Sequence, residues 1–309
     1  MASGRPGTLG LAGRAIKGLI CIFPRFRALL EQRDQLLLDL TQLRKRVPRA
    51  EERDVGLDGG RELQVEVLNL LRHFTPRKVT GFDKARIGRQ GDGGYVLLDD
   101  FAGVATALSF GIESECSWDM DIAGRGIDVH MFDHTVDGPP ADHPRFRFHK
   151  KRIAATLDEQ SETLGSILTN IPESEHRIVL KIDIEGSEWE VFEQSTIEDL
   201  SRICQIVCEF HDFSRIADPA WRDRAIAVMA KLKSVFEVIH VHGNNHTPIF
   251  ALTNIPFPDV IEVTMVRKDA YGFEDEFESF PTNLDFANND KRPDIFLGGL
   301  RFPNGVPHG

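Results

Sequence analysis

Cysteine is scarce in this chain: Cys21, Cys116, Cys204 and Cys208 are the four in 309 residues. None form a CxxC pair and none stand at zinc-finger spacing, so no structural zinc motif is written here. Cys204 and Cys208 lie in an apolar, strand-like run, where a free cysteine acts as a small hydrophobe, and the usage fits a reducing, cytoplasmic compartment. No apolar run is long enough to span a bilayer. The longest candidate, Ala15–Phe23 ("AIKGLICIF"), is short and interrupted by Lys17. It has the look of a signal-peptide core, but no small-residue cleavage site follows; the chain continues "PRFRALLEQR". There is no P-loop, no G-x-G-x-x-G and no internal repeat, which counts against dinucleotide and other nucleotide-dependent enzymes. Positive charge is short overall. The net charge of -11 disfavours nucleic-acid binding.

The charge is unevenly spread. Residues 1–49 hold ten Lys or Arg against three Asp or Glu, while the remainder holds 27 against 45. Two readings of the basic head stand side by side: a helix lying peripherally on a membrane surface, or an ordinary packed N-terminus. Within 26–47, Leu29, Leu36, Leu40, Leu43 and Val47 trace a short a/d seam with Arg33 in one seam position. It suits a weak homodimer coil or packing on the chain's own body. Residues 48–60 ("PRAEERDVGLDGG") read as a linker, so 1–60 is expected to be a helical extension.

Residues 61–270 carry the expected catalytic domain. A helix is predicted at 61–73. Apolar strands are predicted at Ala105–Phe110, Ile127–Phe132, Arg145–His149, Ile178–Asp183, Ile203–Phe210, Phe236–His242 and Ile261–Arg267. Helical patterns near 115–124, 161–170, 186–199 and 218–233 separate the central ones. Alternation of this kind with continuously apolar strands predicts an α/β fold with a mostly parallel sheet covered on both faces. Only the loop "GNNHTPIFALTNIPFPD" joins the last two strands, so these are expected as an antiparallel pair at one edge. Seven strands with a reversed hairpin at the end form the layout of the Rossmann-like class I methyltransferase fold. Residues 271–309, with "FEDEFESFPTNLDFANNDKRPDIF", are expected as an arm laid over the core.

Ligands of such sheets bind beyond the carboxyl ends of the strands. Here those ends are Asp, Glu, His, Asn and Gly: "FGIESE", "MFDHT", "KIDIEG", "CEFHD" and "HVHGNN". Asp133 closes the second strand, where an acid can take two ribose hydroxyls or serve as a turn residue. The first turn offers Gly111 with Glu113 and Glu115, whose charges would repel a pyrophosphate and suit a cationic ligand such as S-adenosylmethionine. Asp183 and Glu185 leave the fourth strand beside a turn at Gly186. Ser187 can cap the next helix, and Glu188 suits its N-terminus. His211, after the fifth strand, is a candidate proton acceptor near neutral pH. Asp183, Glu209, His211, His240, His242 and Asn244 include candidates for a Mg²⁺ or Mn²⁺ site, with Asp183, Glu209 and His242 as the chosen set. "GRQGDGGYVLL" reads as a hairpin turning at Gly91–Gly94, with Gly93 and Tyr95 beside the donor.

Together "KIDIEGSEWEVF", "SFGIESECSWD", "VHMFDHT", "RIGRQGDGGYVLL" and "CEFH…HVHGNN" resemble the FkbM-type methyltransferases, in particular the branch of methyltransferase-like protein 24. The resemblance spans roughly residues 75–270. It implies a class I fold, S-adenosylmethionine as donor, and O-methylation of a hydroxyl on a saccharide, glycan or natural product. It also departs from the family's first turn, commonly G-x-x-x-G, by placing Glu115 at the second glycine. A non-catalytic scaffold recruited through the basic head is the alternative expectation.

Overall fold

The structure, a computed structural model, describes residues 57–247, 249–252 and 255–302. The seam from Leu29 to Val47, and the membrane and dimer contacts expected of the basic head, lie outside these residues. Helix α1 (Leu57–Arg72) leads into strand β1 (Arg77–Val79) and the hairpin strands β2 (Lys84–Ile87) and β3 (Tyr95–Leu98). Next come β4 (Thr106–Phe110), α2 (Ser117–Gly124), β5 (Asp128–Phe132) and β6 (Phe146–His149). A short pair, β7 (Arg152–Ile153) and β8 (Ser161–Glu162), precedes α3 (Leu164–Thr169) and β9 (Ile178–Ile182). Helices α4 (Glu188–Gln194) and α5 (Ile197–Ser201) lead to β10 (Ile203–Phe210), a 3-10 turn (Phe213–Ala217) and α6 (Pro219–Val235). Then follow β11 (Phe236–Gly243), the hairpin β12 (Ile249–Leu252) and β13 (Ile255–Pro258), β14 (Ile261–Arg267) and β15 (Phe273–Asp275).

Seven of these strands form one sheet in the order β6-β5-β4-β9-β10-β14-β11. The first five run parallel, and β14 is antiparallel to both β10 and β11. All seven expected strands are present. The α/β fold is that of the class I methyltransferases, with the sheet reversing direction of growth at β4.

Strands β4, β9, β10 and β11 are buried along their whole length because both faces of the sheet are covered. On one face, Leu180, Ile182, Ile206, Cys208 and Phe210 pack with residues of α1, α3, α4 and α6. On the other, Val179, Cys204 and Val207 pack with Trp118 and Ile122 of α2 and with Ile87, Tyr95 and Leu97 of the β2–β3 hairpin. Alternation along β9 and β10 therefore sends Lys181 and Glu209 to the hairpin side.

Three local boundaries differ from the sequence expectation. Helix α1 begins at Leu57, inside the expected linker, because burial of Val67, Leu70 and Leu71 anchors a longer amphipathic run. The single helix expected over 186–199 is two, since Thr196 makes a capping box with Asp199 and starts α5 afresh. The loop expected after β11 contains the β12–β13 hairpin.

Beyond β14 the chain runs back over the hairpin side. Strand β15 pairs with β1, and Phe280, wholly buried, bridges to Gly298. Asn245 grips this arm: its amide nitrogen donates to the carbonyls of Asn289, Arg292 and Pro293, and its oxygen accepts from the Asn289 N–H.

Candidate active site

A cavity of about 360 Å³ opens where β4, β5 and β9 end. Its walls include Gly111, Ile112 and Glu113 after β4, Asp133 and Thr135 after β5, and Asp183 and Glu185 after β9. The hairpin adds Gly93 and Tyr95. Polar ends distant in sequence thus meet on one hollow at the topological switch of the sheet.

The close approach of β4 to β9 builds this hollow. Gly111 has φ +76, and a Cβ there would stand 1.7 Å from the Asp183 carbonyl oxygen. Only glycine allows the two strand ends so near each other. Glu113 (φ 51) and Glu185 (φ 56) take left-handed backbone without being glycine, which is a local strain at the two loops that face the cavity.

Asp133 lines the cavity, but its carboxylate is already engaged. One oxygen accepts from the N–H groups of Ile112 and Glu113 at 2.8 and 2.9 Å. The other accepts from the N–H and hydroxyl of Thr135 at 2.7 and 2.6 Å. Burial pushes its pKa up, yet these hydrogen bonds outweigh it and hold the group down at about 2. Four donors fill the lone-pair sites of a carboxylate. Asp133 therefore ties the β4 loop to the β5 loop, the turn role that the sequence also allowed for it, and its four hydrogen bonds are all made within the protein.

Asp183 sits differently. Oδ2 lies 3.4 Å from the Tyr95 hydroxyl, whereas Oδ1 has no hydrogen-bond partner. The Tyr95 hydroxyl also lies 3.1 Å from Glu209 Oε1, its single proton being shared between the two acids, and Asn244 donates to the other Glu209 oxygen at 3.1 Å. Burial raises the Asp183 pKa to about 6, partly countered by Lys181 and His211. Burial, together with the Asp183 charge, pushes the Glu209 pKa well above the usual carboxylate range.

His211 stands among carboxylates: Glu188 at 3.2 Å from Nδ1, Glu185 at 3.6 Å and Asp183 at 3.9 Å from Nε2. Burial lowers its pKa, but the hydrogen bond to Glu188 and the surrounding negative charge raise it to about 10. His211 is an imidazolium at neutral pH. It cannot serve as the proton acceptor expected from sequence; it is the counter-charge beside Asp183. Trp189 fixes its backbone by donating to the His211 carbonyl at 2.8 Å.

Glu188 is wholly buried, and Oε1 accepts from the N–H groups of Ile184 and Gly186. The turn after β9 is closed by Glu188. Ser187, expected to cap α4, makes no side-chain cap bond.

The expected metal set of Asp183, Glu209 and His242 is not assembled. Both His242 nitrogens are occupied, by Glu262 at 3.1 Å and by Asp294 of the arm at 2.9 Å. His240 likewise faces the arm, 2.8 Å from Asp285. Among the described residues, the donors that converge are Asp183, Glu188 and His211, where a cation would have to displace the imidazolium proton.

Residues 121–240 match the Methyltransferase FkbM domain. The match covers 120 of the chain's 309 residues. The probable methyltransferase-like protein 24 of Rattus norvegicus is 31% identical over 138 residues, covering 38% of this chain and 38% of that one. Its Homo sapiens counterpart is 32% identical over 138 residues, covering 38% and 37%. The chain thus spans little more than a third of either relative's length. A solved structure described as a predicted O-methyltransferase from Agrobacterium tumefaciens aligns at 11% identity with a TM-score of 0.32, over 56% of this chain and 77% of that chain.

The matched segment supplies Asp133, Asp183, Glu185, Glu209 and His211, while Gly93, Tyr95, Gly111 and Glu113 come from the segment before it. Five residues escaped the sequence reading. Lys181 donates to the Gly111 carbonyl from the cavity wall; its only signal was a charge inside an apolar strand. Asp119 reads as one acid among several in a helix. The arm residues Asp285, Asn288 and Asp294 gave no local signal at all.

Proposed function

We propose that the chain is an S-adenosylmethionine-dependent O-methyltransferase acting on a hydroxyl of a saccharide, glycan or natural-product acceptor. The observation that carries this reading is Asp183 on the wall of a cavity at the switch point of the sheet, with its Oδ1 lacking a hydrogen-bond partner. The cavity suits the donor in two respects. Its acids favour a ligand bearing ammonium and sulfonium charges, and the Gly111 turn leaves backbone bare beside it. Gly111 and Glu113 would border the methionine end, Phe132 and Ile153 would offer apolar surface to the base, and Asp183 and Glu185 would border the reacting end.

When bound, the donor supplies an electrophilic methyl group on a cationic sulfur. Asp183 accepts the acceptor hydroxyl's proton on Oδ1 as the oxygen becomes nucleophilic. A pKa near 6 places this carboxylate close to the working pH, where a base is most effective. Protonated His211 keeps Asp183 charged before the step, and Tyr95 holds its other oxygen in place.

The test is transfer from methyl-labelled S-adenosylmethionine to a panel of mono- and oligosaccharides, read as a gain of one methylene mass. Asp183→Asn is expected to retain donor affinity and lose at least about a hundredfold in transfer. Undiminished transfer by that variant would contradict the assignment of Asp183. Donor binding with no transfer to any acceptor would support the scaffold alternative.

A further inference from the structure

Asp119 lies in the first turn of α2, wholly buried, on the wall of the same cavity. Neither of its carboxylate oxygens has a hydrogen-bond partner. Ser109 Oγ and the helix's own amide lie near enough to favour its charged form but complete no hydrogen bond with it. Lys181 lends Asp119 its positive charge, but its ammonium hydrogen-bonds the Gly111 carbonyl and not the carboxylate.

Each of the other acids on that wall has a hydrogen bond, an ion-pair partner or exposure to water. Asp133 holds four donors. Glu115 accepts from the Ser117 N–H and hydroxyl. Asp183 has Tyr95 on one oxygen and the His211 imidazolium beside the other. Asp92, Glu113 and Glu185 are exposed to water. Asp119 alone on this wall is wholly buried with neither carboxylate oxygen hydrogen-bonded; the Lys181 charge favours its ionised form but completes no hydrogen bond, an arrangement that native proteins seldom tolerate unless a ligand completes it. The N-terminal end of α2 lends it only a weak positive field.

We infer that Asp119 receives the α-ammonium group of the donor's amino-acid end. This rests on the donor reading above and adds to it the residue that recognises the amine. The ammonium brings three N–H donors, and a charge with them, to two acceptor oxygens that have no donor. A sulfonium has no N–H and would leave those lone pairs empty. The position fits as well: α2 follows directly on the Gly111–Glu115 turn, and Asp119 shares a wall with Gly111, Glu113 and Glu115.

The experiment compares two ligands by titration calorimetry: S-adenosylhomocysteine and its deaminated analogue, which keeps the carboxylate and lacks only the amine. Wild type is expected to prefer the amine-bearing ligand by roughly tenfold or more. Asp119→Asn, with a wild-type melting profile, is expected to abolish that preference while binding the deaminated analogue unchanged. Equal affinity of wild type for the two ligands would overturn the assignment even if the variant does not fold. A preference that persists in Asp119→Asn would overturn it too. Binding of neither ligand by wild type would sink the donor reading itself, and this assignment with it.

Discussion

Gly111→Ala puts a methyl group where β4 and β9 end. The new Cβ would stand 1.7 Å from the Asp183 carbonyl oxygen and 2.9 Å from its carbon, at φ +76. Gly126, at φ +88, has nothing within 4 Å of the same position. Gly126→Ala therefore isolates the backbone cost of a left-handed alanine, about 1–2 kcal/mol. Gly111→Ala carries that cost and adds an overlap with main chain, which cannot rotate aside. Relief requires the strand ends to part. That would weaken the Gly111 N–H to Phe132 and Asp183 N–H to Phe110 hydrogen bonds, each 3.0 Å, at about 1 kcal/mol apiece. The Lys181 bond to the Gly111 carbonyl would loosen with them. The expected loss is about 3–5 kcal/mol, in the range seen for strain at special backbone positions. Urea unfolding of wild type and both variants, with unchanged m-values, measures it. Stability of Gly111→Ala within about 0.5 kcal/mol of Gly126→Ala would refute the close approach on which the cavity depends.

Three further outcomes are expected. His211 has its pKa raised from 6.5 to about 10 in the fold, so its contribution is complete below 6.5 and is lost as pH rises through 10; stability should fall more steeply from pH 7 to 10 in wild type than in His211→Gln, and parallel slopes would contradict this. Asp133→Asn should cost about 1–3 kcal/mol by unpairing loop amides; because the native group titrates at about 2 instead of 3.8, the deficit should be full above 3.8 and vanish as pH falls through 2, and a pH-independent deficit would count against the assignment. His242→Ala strips Glu262 and Asp294 of their shared partner, so limited proteolysis should cut residues 271–302 faster than in wild type; unchanged cleavage would show that the arm is held otherwise.

The sheet was legible because its strands are continuous apolar runs with turns at regular intervals, and because burial on both faces demands that pattern. Asp183 stood out as an acid directly after such a run, and Gly93 and Tyr95 as parts of a glycine-rich hairpin. What escaped depends on pairing across space. Nothing beside His211 in the sequence announces Glu188 and Glu185, which reverse its chemistry from base to fixed cation. His242 looked like a ligand because its partner Asp294 lies 52 residues further on. Asp133 marked the right strand end, but no linear pattern reveals that four neighbouring donors already fill it. Asp119 has an ordinary helical context; only the absence of any partner in three dimensions sets it apart.

The central claim is that these strand ends form one site for a sulfonium-bearing nucleoside. Calorimetric titration of the full chain with S-adenosylhomocysteine tests it most directly. A saturable, one-to-one heat that is weakened in Gly111→Ala is the expected result. No heat and no thermal shift at about millimolar ligand, a limit that corresponds to roughly 4 kcal/mol of binding, would contradict it.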